Sequence, residues 1–410
     1  MGAWLVHYVI RNANVITMVD ESVLRGCDVL IADAKIAAVS RNIEARGVPE
    51  VDASGRYLVP GLFDMHVHLN TSDLIELLLA NGATSVRNMW GFPQTLLWKR
   101  EIATGHKLGP TIYTTGPLSD GETFWRGSER ITTVEQAEAA VRGVVEAGYE
   151  YVKTLAAIPR EPFIRLMASA RAAGIKVVGH GNAQVSTDEL IELGYYSIEH
   201  ASCLPSAAED VLKMARSGVW LCPTLAVGWT IRDYVHNDND FRQLRGYEYV
   251  SELDRKAWDD ITATRRSHLR RPAPRLEDAV ERARLFTEHS DSVLLGTDTP
   301  NPGVIAGFSL HDELELMVTD LGLTPYGALR TGTVNAARCL GVLHRTGTLE
   351  PGKDADLLIL GGNPLDDIRR TRDLAGVIKA GRLHDRTQLD AILEGVRSLA
   401  VDDIVQVWRP

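Results

Sequence analysis

At 410 residues, 45% hydrophobic and 24% charged, the chain has the composition of an ordinary globular protein with enough apolar residues for a large core. Its formal net charge of -10 repels phosphate backbones and anionic lipid, which excludes nucleic acid and membrane surfaces as natural partners and leaves a small-molecule substrate. Four scattered cysteines, Cys27, Cys203, Cys222 and Cys339, form no close pair, so reduced thiols in a cytoplasmic setting are expected.

The opening MGAWLVHYVIRNANVIT reads as a strand, because it has no basic stretch followed by a long apolar run and a small-residue cleavage site. From Val6 to Val39 short β-rich runs are broken by turns, and Asp33-Ala34-Lys35 sits between VLI and IAAV as a hairpin turn would. Next come eight short apolar runs: Leu62–His68, Thr84–Met89, Thr111–Thr115, Tyr151–Leu155, Lys176–His180, Ser197–His200, Val219–Pro223 and Val293–Asp298. Helical stretches such as Val134–Ala147, Pro162–Ala173 and Ser186–Leu193 lie between them. Strands alternating with helices predict a parallel sheet, and eight repeats predict closure into a (β/α)8 barrel. The connection from Leu225 to Ser292 breaks the rhythm. It holds the polar run HNDND and the basic run RRPAPR, and reads as a solvated helical excursion, with a lid over the active-site face as the sharper alternative. At the far end Ala355–Leu360 and Gly376–Gly381 again look like strands. The expected architecture is α/β: a barrel over residues 59–346, with a small β-sandwich domain built from residues 1–58 and 347–410. No stretch approaches the roughly 20 apolar residues of a membrane span.

The strongest chemical signal is Asp64-Met65-His66-Val67-His68. Residues two apart on a strand share a face, so both imidazoles can reach one ion. Alone, this pair could equally be two strand histidines of no special role. Lys153 in YVKTL, His180 ending VVGH, His200 ending SIEH and Asp298 ending LLGTD change that balance. Each falls at the C-terminal end of its strand, where barrel enzymes place catalytic groups. Imidazole and carboxylate suit zinc, with manganese or cobalt as alternatives. A lysine ammonium has no acceptor for a cation, but a buried amine can lose its proton and take up carbon dioxide as a carbamate. Arg87, Trp90, Trp125 and Arg126 are candidates to line the pocket, where an arginine could bind a substrate carboxylate through paired hydrogen bonds. Loop ion pairs and aromatic packing are the plainer reading of these four. Cys203 and Cys222, though near strand ends, are expected to be structural thiols.

The set HxH, a strand-four Lys, strand-five and strand-six His and a strand-eight Asp resembles the binuclear amidohydrolase superfamily. The flanking LVPGLFDMHVHL and TVNAARCLGVLHRTGTLEPGKDADLLIL agree with it, and the resemblance covers nearly the whole chain. Within the superfamily the sequence looks like imidazolonepropionase-like proteins and prolidase-like dipeptidases and carboxypeptidases, and YVKTL leans toward the latter. The resemblance implies that His66, His68 and Asp298 hold one metal, that His180 and His200 hold a second, and that carboxylated Lys153 bridges them. It implies hydrolysis of an amide bond in a dipeptide or N-acyl amino acid by a metal-bridging hydroxide, with Asp298 moving the proton. Cyclic amides, lactones and phosphoesters are alternative substrates, a non-catalytic barrel is the remote alternative, and a homo-oligomer formed through barrel helices stays open. The sequence departs from relatives at His180-Gly181-Asn182-Ala183, at SVRNMWG and in the loop Ser119–Arg126, all of which bear on substrate rather than metal.

Overall fold

A computed structural model describes residues 7–122, 127–236, 239–268 and 276–398. Strands Tyr8–Val15, Leu24–Ala32, Lys35–Ser40, Glu50–Asp52 and Tyr57–Pro60 from the N-terminal side join Leu357–Leu360, Leu374–Lys379 and Arg382–Asp385 in one eight-stranded sheet. The seam between the two chain ends is the antiparallel pairing of Tyr57–Pro60 with Leu357–Leu360. The predicted hairpin turn is present: Asp33 and Ala34 both have positive φ, 51° and 60°, as a two-residue turn matched to strand twist requires. Pairing joins all eight strands in one continuous sheet built from both chain ends, with Glu50–Asp52 set beside the main path against Tyr8–Val15; the pairing shows a shared sheet rather than the sandwich form. The apolar run Leu357–Leu360 has no polar face because both sides are covered. Leu357 and Ile359 join the core of this sheet, while Leu358 and Leu360 join the main core.

The main body is a nearly closed barrel of seven parallel strands, Leu62–Val67, Ala83–Asn88, Thr111–Asp120, Tyr151–Thr154, Lys176–Gly179, Ser197–Glu199 and Trp220–Cys222, paired in chain order. Alternation separates two environments. Val86, Val152, Val177 and Ile198 face the core shared with the helices, whereas Phe63, Met65, Tyr151 and Val178 belong to inner clusters. Helix Val134–Ala147 illustrates the outer layer. Thr133 and Gln136 form a capping box at its start, Gly148 ends it at φ 83°, and Ala137, Ala140, Val141 and Val144 bury one face.

The eighth predicted strand is not a regular one. Its segment closes the barrel through isolated parallel bridges, Leu221 with Val293 and Val67 with Thr299, plus bonds from Met65 N to Leu295 O and Asp298 N to His66 O. Asp298 turns to φ 66°, which takes the chain out of extended geometry where a ladder would have continued. The long connection is helical among the described residues, with Leu225–Thr230, Ile231–His236, Glu252–His268 and Leu276–His289 as its longer pieces; RRPAPR and part of HNDND lie outside the described residues. Trp258 of this excursion donates to Pro300 O at 2.9 Å, tying it to the loop after the eighth segment. Among the described residues no helix is long and apolar enough to cross a membrane.

Candidate active site

The structure brings His66, His68, Lys153, His180, His200 and Asp298 to the floor of one cavity of about 540 Å3 at the C-terminal end of the strands. Asp298 Oδ1 lies 3.3 Å from His66 Nε2 and 2.9 Å from His68 Nε2. His180 and His200 meet with their Nε2 atoms 3.1 Å apart, and the His200 ring centroid lies 4.8 Å from that of His66. Three non-glycine residues of the site have positive φ: His200 at 72°, Asp298 at 66° and Thr224 at 46°. Such strain costs about 1–3 kcal/mol per residue and persists only where surroundings enforce it. Here His200 N donates to Cys222 O at 2.8 Å and Asp298 N to His66 O at 2.7 Å.

Burial sets the charges. It holds His66 and His180 well below the usual histidine range and takes His200 down to about 4, so the rings are neutral and have lone pairs to offer at neutral pH. The Lys153 amine is also pushed down by burial. Asp298 is lower than an ordinary carboxyl because the nearby His200, His68 and Lys153 outweigh the upward push of burial. His66 Nε2, His68 Nδ1, Lys153 Nζ and Asp298 Oδ1 are buried yet make no hydrogen bond among the described residues. Asp298 Oδ1 has His66 Nε2 at 3.3 Å and His68 Nε2 at 2.9 Å, close together but not aligned as donor and acceptor. An unpaired buried polar atom costs about 1–3 kcal/mol, and several in one place fit a site that binds a cation. His66, His68 and Asp298 also place one ligand atom each within 4.8 Å of one another.

Beneath the floor lies a network that the sequence did not reveal. Glu199 receives His66 Nδ1 at 2.9 Å, Arg87 Nη2 at 2.8 and 2.9 Å on its two oxygens, and Ser197 Oγ at 2.5 Å. Arg87 is therefore turned inward, fully buried, and is not a pocket-lining residue as the sequence had suggested. Burial alone would lower its guanidinium, but the Glu199 carboxylate opposite raises it and keeps it charged. His66, Glu199 and Cys222 form a second group of metal-binding size. Both Glu199 oxygens are already engaged, and burial pushes the Cys222 thiol well up, so that group is not poised as a site. Burial likewise raises Cys203 to about 11, in keeping with a structural thiol rather than a nucleophile. On the other side of the floor, His200 Nδ1 contacts Thr224 Oγ1 at 2.7 Å. Asp64, pushed up to about 7 by burial, accepts from His66 N, Thr297 N and Thr297 Oγ1 and so joins the first strand to the eighth segment.

The cavity walls are mostly apolar. Trp90 does line them, edge-on to His68 with ring centroids 6.2 Å apart, together with Leu118, Leu155, Leu225, Ile231 and Leu276. Three of those side chains, Leu225, Ile231 and Leu276, come from the helical excursion. Trp125 and Arg126 lie outside the described residues. The arginine that reaches the wall is Arg232, stacked on Trp229 at 3.7 Å and bonded to Asp233 at 2.7 Å. Sequence offered little to single it out, since it stands in a helical excursion with no strand-end rule to point at it.

The amidohydrolase family model matches residues 57–384. The chain belongs to the amidohydrolase family. Relatives include an adenine deaminase from Moorella thermoacetica, 24% identical over 86% of this chain, and an imidazolonepropionase from Symbiobacterium thermophilum, 26% identical over 84% of this chain and 85% of its own length. The chain spans only 54% of that adenine deaminase. Solved structures that resemble it include a bottromycin amidohydrolase, at TM-score 0.73 and 25% identity over 95% of this chain and 90% of that one. A Xaa-Pro dipeptidase with methionine bound in its active site has TM-score 0.74 and 20% identity over 92% of this chain and 100% of that one, a likeness of fold. Solved structures of prolidase-like proteins share the fold.

Proposed function

We propose that this amidohydrolase is a metal-dependent enzyme that cleaves the amide bond of a small substrate such as a dipeptide or N-acyl amino acid. The observation that carries the reading is Lys153: a buried amine with no hydrogen-bond partner among the described residues, on a floor otherwise made of neutral imidazoles and one carboxylate. His66, His68 and Asp298 would hold one divalent ion, and His180 and His200 a second, with zinc the default for so many histidines. Lys153 would reach both as a carbamate, formed when its neutral amine adds to carbon dioxide and one proton leaves. Burial, which favours the neutral amine, supports that step.

Two divalent ions, when bound, would supply an acidified water as nucleophile and polarise the scissile carbonyl. The chain's own residues do the rest. Asp298, whose carboxyl lies below the ordinary range, accepts the proton of the attacking water and delivers it to the leaving nitrogen. Glu199 and Thr224 hold the His66 and His200 rings by their Nδ1 atoms. Trp90, Leu118, Leu155 and Leu225 exclude bulk water and offer an apolar wall to the acyl or side-chain portion of the substrate. Arg232, paired with Asp233 and 3.7 Å from Glu277, would meet a substrate carboxylate at the mouth through its remaining donors.

The test is elemental analysis of protein purified without chelator, followed by a substrate panel. About two ions per chain, falling in Lys153→Ala and returning with a short carboxylic acid, are expected. Turnover of dipeptides or N-acyl amino acids should then drop by roughly 10²–10⁴-fold in Asp298→Asn. No bound metal after reconstitution, or an Asp298→Asn enzyme as active as the parent, would refute the reading.

A further inference from the structure

We propose that Glu199 is a positioning residue that fixes the tautomer and direction of the His66 ring, and that Arg87 and Ser197 hold Glu199 in the posture this needs. The inference rests on the proposed metal-dependent reading of the site and adds an order of strength to its two halves. Glu199 and Arg87 are both fully buried, an unusual depth for ionic side chains. An ion pair inside a barrel is weak evidence for stability, since well-packed apolar residues could fill the same space. Its geometry points elsewhere. Arg87 Nη2 grips both Glu199 oxygens, while Arg87 Nε donates to Met65 O at 2.7 Å, the carbonyl next to His66 in the chain. One guanidinium thus ties the backbone that carries His66 to the carboxylate that bonds its ring. Ser197, two residues before Glu199 on the same face of the strand, adds a third bond to the carboxylate at 2.5 Å.

These three bonds from two donors leave Glu199 only the role of acceptor toward His66, so Nδ1 carries the hydrogen. Nε2 then keeps its lone pair, and it is Nε2 that faces Asp298 without a hydrogen bond. A carboxylate behind an imidazole makes the ring a stronger ligand as well as a fixed one. His200 has a neutral hydroxyl, Thr224 Oγ1, in the same place. The two halves of the floor are therefore unequal, and the half containing His66, His68 and Asp298 takes the tighter ion.

The test uses Glu199→Gln, the double variant Glu199→Gln with Arg87→Met, and the parent. The double variant removes the cation that Glu199→Gln would strand, so it guards against a simple failure to fold. Zinc affinity is read by chelator competition, the His66 tautomer by ¹⁵N NMR of histidine-labelled, metal-free protein, and folding by thermal unfolding. The expected result is an Nδ1–H tautomer in the parent and two unequal zinc sites. The tighter one should weaken by roughly 10–100-fold in both variants, with the other nearly unchanged, even where the double variant recovers the parent's unfolding temperature. A parent that binds zinc with affinities matched by both variants overturns the inference and leaves the hydrolase reading standing. An Nε2–H tautomer at His66 in the parent overturns it whatever the metal data. A parent that binds no zinc overturns the hydrolase reading and this inference together.

Discussion

Replacing Lys153 by methionine should reverse its effect on stability according to whether metal is bound. In the metal-free protein Lys153 Nζ is buried, 1% of the residue is exposed, and no described acceptor meets it. Leaving such a donor unpaired costs about 1–3 kcal/mol, and methionine keeps the length of the stem while removing the donor. The metal-free variant should therefore be more stable than the parent by about that amount. For domains of 150–250 residues 1 kcal/mol corresponds to roughly 2–4 °C in Tm, so a rise of a few degrees is expected. With metal the order inverts. A site that is filled at 100 times its Kd stabilises by about 2.7 kcal/mol, and the parent with its shared ligand collects this from both ions. Lys153→Met, lacking the group common to both, should gain much less. The assay is scanning calorimetry at one fixed scan rate, in chelator and then in excess zinc with bicarbonate. If the parent is the more stable protein in chelator, and zinc raises both proteins equally, then Lys153 is an ordinary structural lysine and the bridging argument fails.

Other expectations follow from the same geometry. Arg232→Ala should raise KM by roughly 10-fold or more for an N-acyl amino acid, the worth of a charge-assisted pair of bonds, and leave KM for the matching amide unchanged; equal effects on both would remove Arg232 from substrate binding. Burial pushes Glu313 up to about 8 from 4.5, although Leu225 N and Ala226 N both donate to it and pull the other way. The folded state then keeps this proton after the unfolded chain has lost it, so the contribution to stability is complete below about pH 4.5 and falls as pH rises toward 8, by at most about 1.4 kcal/mol per unit. Urea unfolding at pH 5 and pH 8 should show a larger loss for the parent than for Glu313→Gln, and an identical loss would refute the assignment. A Cβ at Gly296 would stand 2.4 Å from Cys222 Sγ and 2.8 Å from His66 N, so Gly296→Ala should destabilise by about 1–3 kcal/mol and lower zinc occupancy; an unshifted Tm would show that the eighth segment has room the structure does not indicate.

What could be read from sequence was what local chemistry decides. Short apolar runs alternating with helical stretches located seven barrel strands, because each strand is buried on both faces and each helix covers the next connection. Thr133, Gln136 and Gly148 bounded their helix for equally local reasons. The strand-end rule brought out His66, His68, Lys153, His180, His200 and Asp298 as a set, and the structure gathers all six into one cavity. The regularity of the eighth strand was misjudged because its departure is enforced from a distance. Gly296 must lie against Cys222 and the His66 backbone, and Asp298 must turn back toward the histidines.

Arg87 shows where such reading stops. Its type and its place near a strand end suggested a hand for substrate carboxylate, yet its carboxylate is Glu199, 112 residues away in the chain. Nothing within either segment announces the pairing, because closure of the barrel alone brings the second strand opposite the sixth. Alternation did hold half of the answer: Arg87 follows Val86, which faces the helices, so Arg87 had to point into the barrel and find a partner there. A buried arginine on an inner face demands an acid on another inner face, and the glutamate preceding a candidate ligand histidine is the one whose position lets a single pairing satisfy the cation and orient the site.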